Sequence, residues 1–343
     1  MSITIKEFGT TKDNTKVFIY TISNSNGMTA SFTNYGARWI SCNIPTDNGL
    51  TDVILGYDTF SEYENDTYHF GSVIGRNANR ISNGCFTLNN TTYNIPINEE
   101  LTNSNVHSGP DYYGSRIWNA QVLYTANAVA FELISPDKDQ GFPGNMALKV
   151  TYKLTEDNIV KLIYDGICES YSIFNPTNHV YFNLNGADSP SITNHVLWID
   201  SNKITENENL LPNGNFADVQ NTKYDFRTPA VLSEAFDDNW CIEKPYSLDK
   251  TCLTCTSPES GITLNMHTDL PGLQVYTGNF LCGVKGKNGT IYNPQSGVCL
   301  ESQYFVNAIN VDNADFVKPV IKPYEPVHSE TWYRFTYAGD KQI

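Results

Sequence analysis

His179 stands in the decapeptide "NPTNHVYFNL", residues 175–184. In an extended segment Val180, Phe182 and Leu184 fall on one face, and Thr177, His179, Tyr181 and Asn183 fall on the other. An imidazole in a row of hydrogen-bonding groups, backed by an apolar row, suits proton transfer near neutral pH. A histidine satisfied inside a polar core is the competing reading. A carboxylate appears in similar surroundings in "VCLESQYF", residues 298–305. Glu301 and Gln303 share a face with Cys299, while Val298 and Leu300 point the other way. Burying such a carboxylate is costly unless it meets a cation, several donors or water in a cleft. An exposed edge strand is the alternative. Arg76 and Arg80 lie among small residues in "GSVIGRNANRISNG". That stretch lacks the Gly-Lys-Ser/Thr ending of a phosphate loop, and no helix follows it. Its arginines are partners for carboxylates or ligand oxygens, or they are structural. His107 sits in the loop "NSNVHSGP". Asp237 and Asp238, beside Trp240, either clamp hydroxyl groups or belong to a plain loop. A second "TNHV" places His195 on a face with Leu197 and Ile199, which reads as a core-edge histidine. There is no Ser-His-Asp order and no Gly-x-Ser-x-Gly elbow.

The elements that must position these groups are strands. "TKVFIYTIS" places Val17, Ile19 and Thr21 on one face. "CFTLNNTTYNI" reads as two short strands around Asn89 and Asn90. "ALKVTYKLTEDNIVKLIYDG" reads as two strands around Glu156–Asn158, and "GITLNMHTDLPGLQVYTGNF" as two more around Pro271–Gly272. No long stretch has helical periodicity, and "DTFSEYEN" offers a single helical turn. Many strands without crossover helices predict an all-β fold, a large sandwich of stacked antiparallel sheets or a barrel. No linker or repeat divides residues 1–343, so one domain is expected. Stacked sheets leave a concave face able to hold a ligand.

Composition narrows that ligand. The chain carries a net charge of −15 with only 22 Lys and Arg. Nucleic acid, anionic membranes and polyanionic substrates all require clustered cations and are excluded on that ground. Aromatics make up 13% of the chain, with 21 Tyr. Their apolar faces and polar tips suit a neutral sugar, as they also suit sheets. The first residues resemble no secretory signal, and no run of about 18 apolar residues occurs. A cytoplasmic protein is expected, with its eight scattered Cys reduced. Cys252 and Cys255 lack a matching second pair, so neither a metal nor another cofactor is expected. The sequons at Asn65, Asn90 and Asn288 carry no meaning without secretion.

Taken together, "GSVIGRNANRISNGCFTLN", "NSNVHSGP", "SPDKDQGFPGN", "NPTNHVYFNL", "AFDDNWCI", "LPGLQVYTGNF" and "GVCLESQ" give the chain a resemblance to the aldose 1-epimerase (galactose mutarotase) family. The order and spacing agree from about residue 30 onward. The resemblance implies a β-sandwich with a sugar in a cleft on one face. It also implies interconversion of the α and β anomers of free aldohexoses, galactose or glucose, by a monomer or homodimer. Glu301 is then the general base and His179 the general acid, the first ionised and the second protonated at the start. Asn79, Arg80, His107, Asp237 and Gln274 would hold the sugar. The chain departs from the family in having Glu-Ser-Gln for Glu-Thr-Gln, no following Pro-Asp, and Val-His-Ser-Gly for Leu-His-Gly-Gly. Alternatives on the same fold are a hexose-6-phosphate 1-epimerase, which needs extra cations, and a non-catalytic sugar-binding protein. A glycoside-processing enzyme would need two carboxylates across the bond.

Overall fold

Period-2 burial marks several of the long strands. Ile262–Thr268 alternates buried and half-buried residues without a break. The structure, a computed structural model, describes residues 2–339. Three antiparallel sheets dominate. A nine-stranded sheet runs, in spatial order, through Asn119–Leu123, Ala128–Ser135, Met146–Leu154, Ile159–Cys168, Val327–Tyr337, Ile262–Thr268, Leu253–Thr256, Val196–Ile199 and Ala230–Val231. A six-stranded sheet runs through Tyr181–Phe182, Val298–Gln303, Gly272–Tyr276, Asp237–Cys241, Lys203–Glu208 and Leu211–Asp218. The N-terminal residues form a five-stranded sheet in chain order, ending at Gly49–Asp52. One core draws on all three: Phe32 and Trp39, Tyr152 and Phe335, Leu273 and Leu300. Phe32 stacks on Tyr152 with centroids 4.2 Å apart, and Trp39 meets Phe182 and Tyr333 at 5.6 Å. Aromatic pairs in these geometries add to area burial.

Local expectations mostly match. Cys85–Leu88 and Thr91–Asn94 form a hairpin through Asn89 and Asn90, both at positive φ. Asn tolerates that region, which a two-residue hairpin turn requires. The single helical turn is Phe60–Glu64, capped by Thr59 and Glu62. Val17 does not join the main core. It packs with Tyr35 and Phe60, while Tyr20 and Ile22 face inward.

Residues 261–280 form the two expected strands, Ile262–Thr268 in the nine-stranded sheet and Gly272–Tyr276 in the six-stranded one, so the chain crosses between sheets. One expectation needs correction: residues 175–184 are not one strand. Thr177–Asn178 pairs with Val73–Ile74, and Tyr181–Phe182 pairs with Val298–Cys299. The chain changes sheets at His179. There its N–H donates to Ser72 O at 2.9 Å, and its carbonyl accepts from Gly71 N–H at 3.0 Å. The alternation survives the crossing, because Val180, Phe182 and Leu184 all enter the core.

Gly71 is required for this clamp. Its φ is +64°, and a Cβ there would stand 2.0 Å from the Trp39 carbonyl oxygen. Its own carbonyl accepts from Trp39 N–H at 2.8 Å and from Asn178 Nδ2 at 2.8 Å.

Among the described residues no helix is long and apolar enough to cross a membrane. Cys252 and Cys255 are buried core thiols, each pushed up to about 12 by burial.

The two arginines of "GRNANR" divide their roles. Arg76 is buried and donates to Ser135 O at 3.0 Å, Pro136 O at 3.0 Å, Pro143 O at 2.7 Å and Gly144 O at 2.8 Å. It staples the loop at residues 136–144 to the strands beside it. Replacing Arg76 with Met removes all four of these bonds and is expected to cost on the order of 3 kcal/mol. A urea midpoint unchanged from the parent would contradict this.

Candidate active site

The strand Val298–Gln303 is buried on both faces. Val298 and Leu300 enter the main core, and Cys299 joins a second cluster with Tyr181 and Tyr276. Glu301 therefore sits in a central strand, 3% exposed, not on an edge. Its neighbours across the sheet are fixed by register: Gln274 lies opposite Glu301, and Asn239 opposite Gln274. A cleft of about 200 Å³ opens over this row. Glu301, His179, Asn79, Arg80, His107, Asp237 and Gln274 all line it.

His179 Nε2 and Glu301 Oε1 face each other at 4.0 Å, beyond direct hydrogen bonding. Glu301 Oε2 is buried without a partner. Burial first, and then Asp237, pushes the Glu301 carboxyl well above the usual range. Burial, with His69 adding to it, lowers His179 to about 3. Burial by itself thus drives both groups toward their neutral forms, the reverse of an ionised Glu301 and a protonated His179. The cause is desolvation, which a sequence does not display.

The other wall is built from two paired segments, Arg80–Ser82 and Ser104–Val106. Asn79 and His107, at the ends of that pair, both have positive φ. His107 Nδ1 accepts from Asn79 N–H at 3.2 Å, so its proton lies on Nε2. Burial, then His69 and His179, keeps His107 neutral. Arg80 donates to Glu99 through Nε at 3.0 Å and Nη2 at 2.7 Å. Burial works to raise Glu99, but the bonds from Arg80 and Thr102 outweigh it and hold the carboxyl low. Gln274 Nε2 donates to Asp237 Oδ1 at 2.8 Å and aims that carboxylate. Asp237 begins a strand and is not in a loop; Asp238 does not line the cleft.

His195 is fully buried away from the cleft. Its Nε2 accepts from Leu184 N–H at 2.9 Å, and Nδ1 meets Asn194 Oδ1 at 2.9 Å. Sequence reasoning missed Glu99 and His69, which also line the cleft. The signal for Glu99 was the acidic pair Glu99–Glu100 in a chain where a buried Arg80 needs a counter-charge. His69 had none beyond its nearness to "GSVIG".

His179, Cys299 and Glu301 bring possible metal ligands within 4.8 Å of one another. His179, however, turns Nδ1 to the sulfur, at 3.4 Å, and Nε2 to the carboxylate. The nitrogen nearer the sulfur is not the one nearer the carboxylate, so the imidazole is not aimed at a point shared by all three, a poor fit to one ion.

The buried carboxyl has a consequence for stability. The unfolded carboxyl titrates near 4.5 and the folded one well above it. The folded state therefore holds a proton that the unfolded state loses, and stability falls as pH rises through that window. Replacing Glu301 with Gln removes the penalty. Tm is expected to rise by roughly 2–4 °C at pH 7–8 and to be unchanged at pH 4. A lower Tm at pH 8 in scanning calorimetry would contradict the assignment.

A family model described as aldose 1-epimerase matches residues 19–334. Galactose mutarotase of Mus musculus is 36% identical over 298 residues, 84% of this chain and 85% of its own. Aldose 1-epimerase of Haemophilus influenzae is 36% identical over 299 residues, 83% of this chain and 86% of its own. Among solved structures, an aldose epimerase homologue from C. elegans superimposes with a TM-score of 0.86 at 28% identity, covering 92% of this chain and 98% of that one. Galactose 1-epimerase from Lactobacillus acidophilus has the same fold, with a TM-score of 0.84 at 21% identity over 98% of this chain and 99% of that one. The family match runs through every segment that lines the cleft, and the chain belongs to the aldose 1-epimerase family.

Proposed function

We propose that this chain is an isomerase that interconverts the α and β anomers of a free aldohexose, with Glu301 as general base and His179 as general acid. The observation that carries the reading is the 4.0 Å opposition of these two groups across a polar cleft. Glu301 takes the proton of the C1 hydroxyl while the bond from C1 to the ring oxygen breaks. The electron pair of that bond goes to the ring oxygen, which takes a proton from His179. The product is the open-chain aldehyde. Rotation about the C1–C2 bond turns the other carbonyl face, and closure returns each proton by the reverse path.

The pair holds one transferable proton throughout. Before opening it rests on His179, and after opening on Glu301. Desolvation by the surrounding protein favours the second distribution. A bound sugar supplies hydroxyl donors to the unmet Glu301 Oε2, which favours the ionised carboxylate. Asn79, Arg80, His107, Asp237 and Gln274 orient the hydroxyls and contribute by positioning.

Two features favour a free sugar over its 6-phosphate. Among the described residues lining the cleft, Arg80 is the one Lys or Arg, and Glu99 already engages it through Nε and Nη2. Asp237, whose partner Gln274 is uncharged, lines the cleft as a further carboxyl group. A purely binding protein is disfavoured because holding a sugar requires no acid and base opposed across it, as His179 and Glu301 are. We further read the shared core as one domain, and the eight free thiols as those of a cytoplasmic protein.

Polarimetry of α-galactose and α-glucose tests the assignment. Glu301→Gln and His179→Gln should each lose roughly 10²–10⁴-fold of the acceleration while calorimetry still detects sugar binding. A near-normal rate in either variant would remove that residue from the mechanism. Glucose 6-phosphate in the assay should neither turn over nor inhibit; competitive inhibition at sugar-like concentrations would favour the phosphate-sugar alternative.

A further inference from the structure

Three histidines share the cleft wall. His69 lies with its ring centroid 5.1 Å from that of His107 and 5.6 Å from that of His179. It also stands edge-on to Tyr112 at 4.5 Å and 89°. Its backbone is fixed on both sides. The His69 carbonyl accepts from Ser72 N–H at 3.0 Å and Ser72 Oγ at 3.1 Å, and Tyr181 OH donates to Tyr68 O at 3.0 Å. Upstream, the buried Arg38–Asp66 pair at 2.6 Å ties the same loop down, with Asp66 accepting from Tyr68 N–H and Phe70 N–H at 2.9 Å.

The ring so held spends none of its hydrogen-bonding capacity on protein. Nδ1 is buried without a partner, and Nε2 has no protein hydrogen bond either. The other two imidazoles are engaged: His107 through Nδ1 to Asn79, and His179 through Nδ1 to the Cys299 sulfur. Burial lowers His69 to about 4, so at neutral pH its ring carries one proton. A buried N–H with no acceptor is rarer than an unmet lone pair. The proton therefore belongs on Nε2, the nitrogen left to face the cleft.

We propose that His69 is a further sugar-binding residue. Its Nε2–H donates to an aldose hydroxyl lying between the oxygens met by His107 and His179, and this contact helps decide which sugar the cleft accepts. The assignment rests on the aldose reading above and adds a residue to it.

His69→Phe keeps the ring edge against Tyr112 and removes both nitrogens. His69→Gln restores a donor at similar reach. For the preferred aldose, the Phe variant is expected to raise KM and the calorimetric Kd about tenfold, with kcat within a factor of about three. The Gln variant should recover most of the affinity. A series of deoxy sugars locates the partner: the sugar lacking that hydroxyl should bind wild type and the Phe variant equally. An unchanged Kd in the Phe variant for every aldose and deoxy sugar would overturn the proposal and leave His69 as an aromatic wall. If the Phe variant fails to fold, Gln against Met at the same position decides in the same way. Wild-type protein that binds aldoses without accelerating their anomerisation would defeat the catalytic reading and leave His69 standing. Wild-type protein that binds no aldose would defeat both.

Discussion

A carboxyl group deep in a central strand, with no cation against it, is the constraint that organises this molecule. Glu301 is 3% exposed and one of its oxygens is unmet. Such burial is unfavourable wherever it occurs. Here it is tolerated because the same strand sends Val298 and Leu300 into a core shared by three sheets. The site is thus destabilising by construction, and the aromatic and aliphatic packing behind it offsets the penalty. The polar row facing the cleft and the apolar row facing the core are two sides of one strand. Register makes one follow from the other: Gln274 lies beside Glu301 because Leu273 and Val275 lie beside Ser302 and Leu300.

Much of this was legible in residue order. Alternation in "VCLESQYF" and "NPTNHVYFNL" placed Glu301 and His179 opposite apolar rows, and that depends only on the period of a strand. Turn residues at Asn89–Asn90 and Glu156–Asn158 marked hairpins because their chemistry is local. Other features were hidden for equally physical reasons. The break at His179 arises because its two backbone groups pair with a segment about a hundred residues away. The two arginines of one motif look alike in sequence; which one reaches the cleft depends on where the loop at 136–144 returns. Glu99 shows its purpose only once the fold brings it to Arg80. The bias of the central pair toward its neutral forms was hidden because desolvation belongs to the folded state alone.

The cleft achieves polarity with almost no free charge. Arg80 is occupied by Glu99, Asp237 is met by Gln274, and the three histidines are all held toward neutrality. What remains for a ligand is an array of directed donors and acceptors in a low-dielectric wall. That arrangement suits an uncharged polyol, for which orientation matters more than Coulomb attraction. It also explains how a chain with a net charge of −15 can present a selective site without an electrostatic funnel.

The clamp around His179 passes through Gly71, which is wedged against Trp39. The imidazole is therefore fastened to the hydrophobic interior by main chain, with no flexible linkage between. Anyone reshaping this cleft for another substrate inherits that coupling. Changes at Gly71 or Trp39 would displace the proton-transfer machinery itself, whereas the exposed side chain of Phe280 at the rim, held only through Tyr276, is open to redesign.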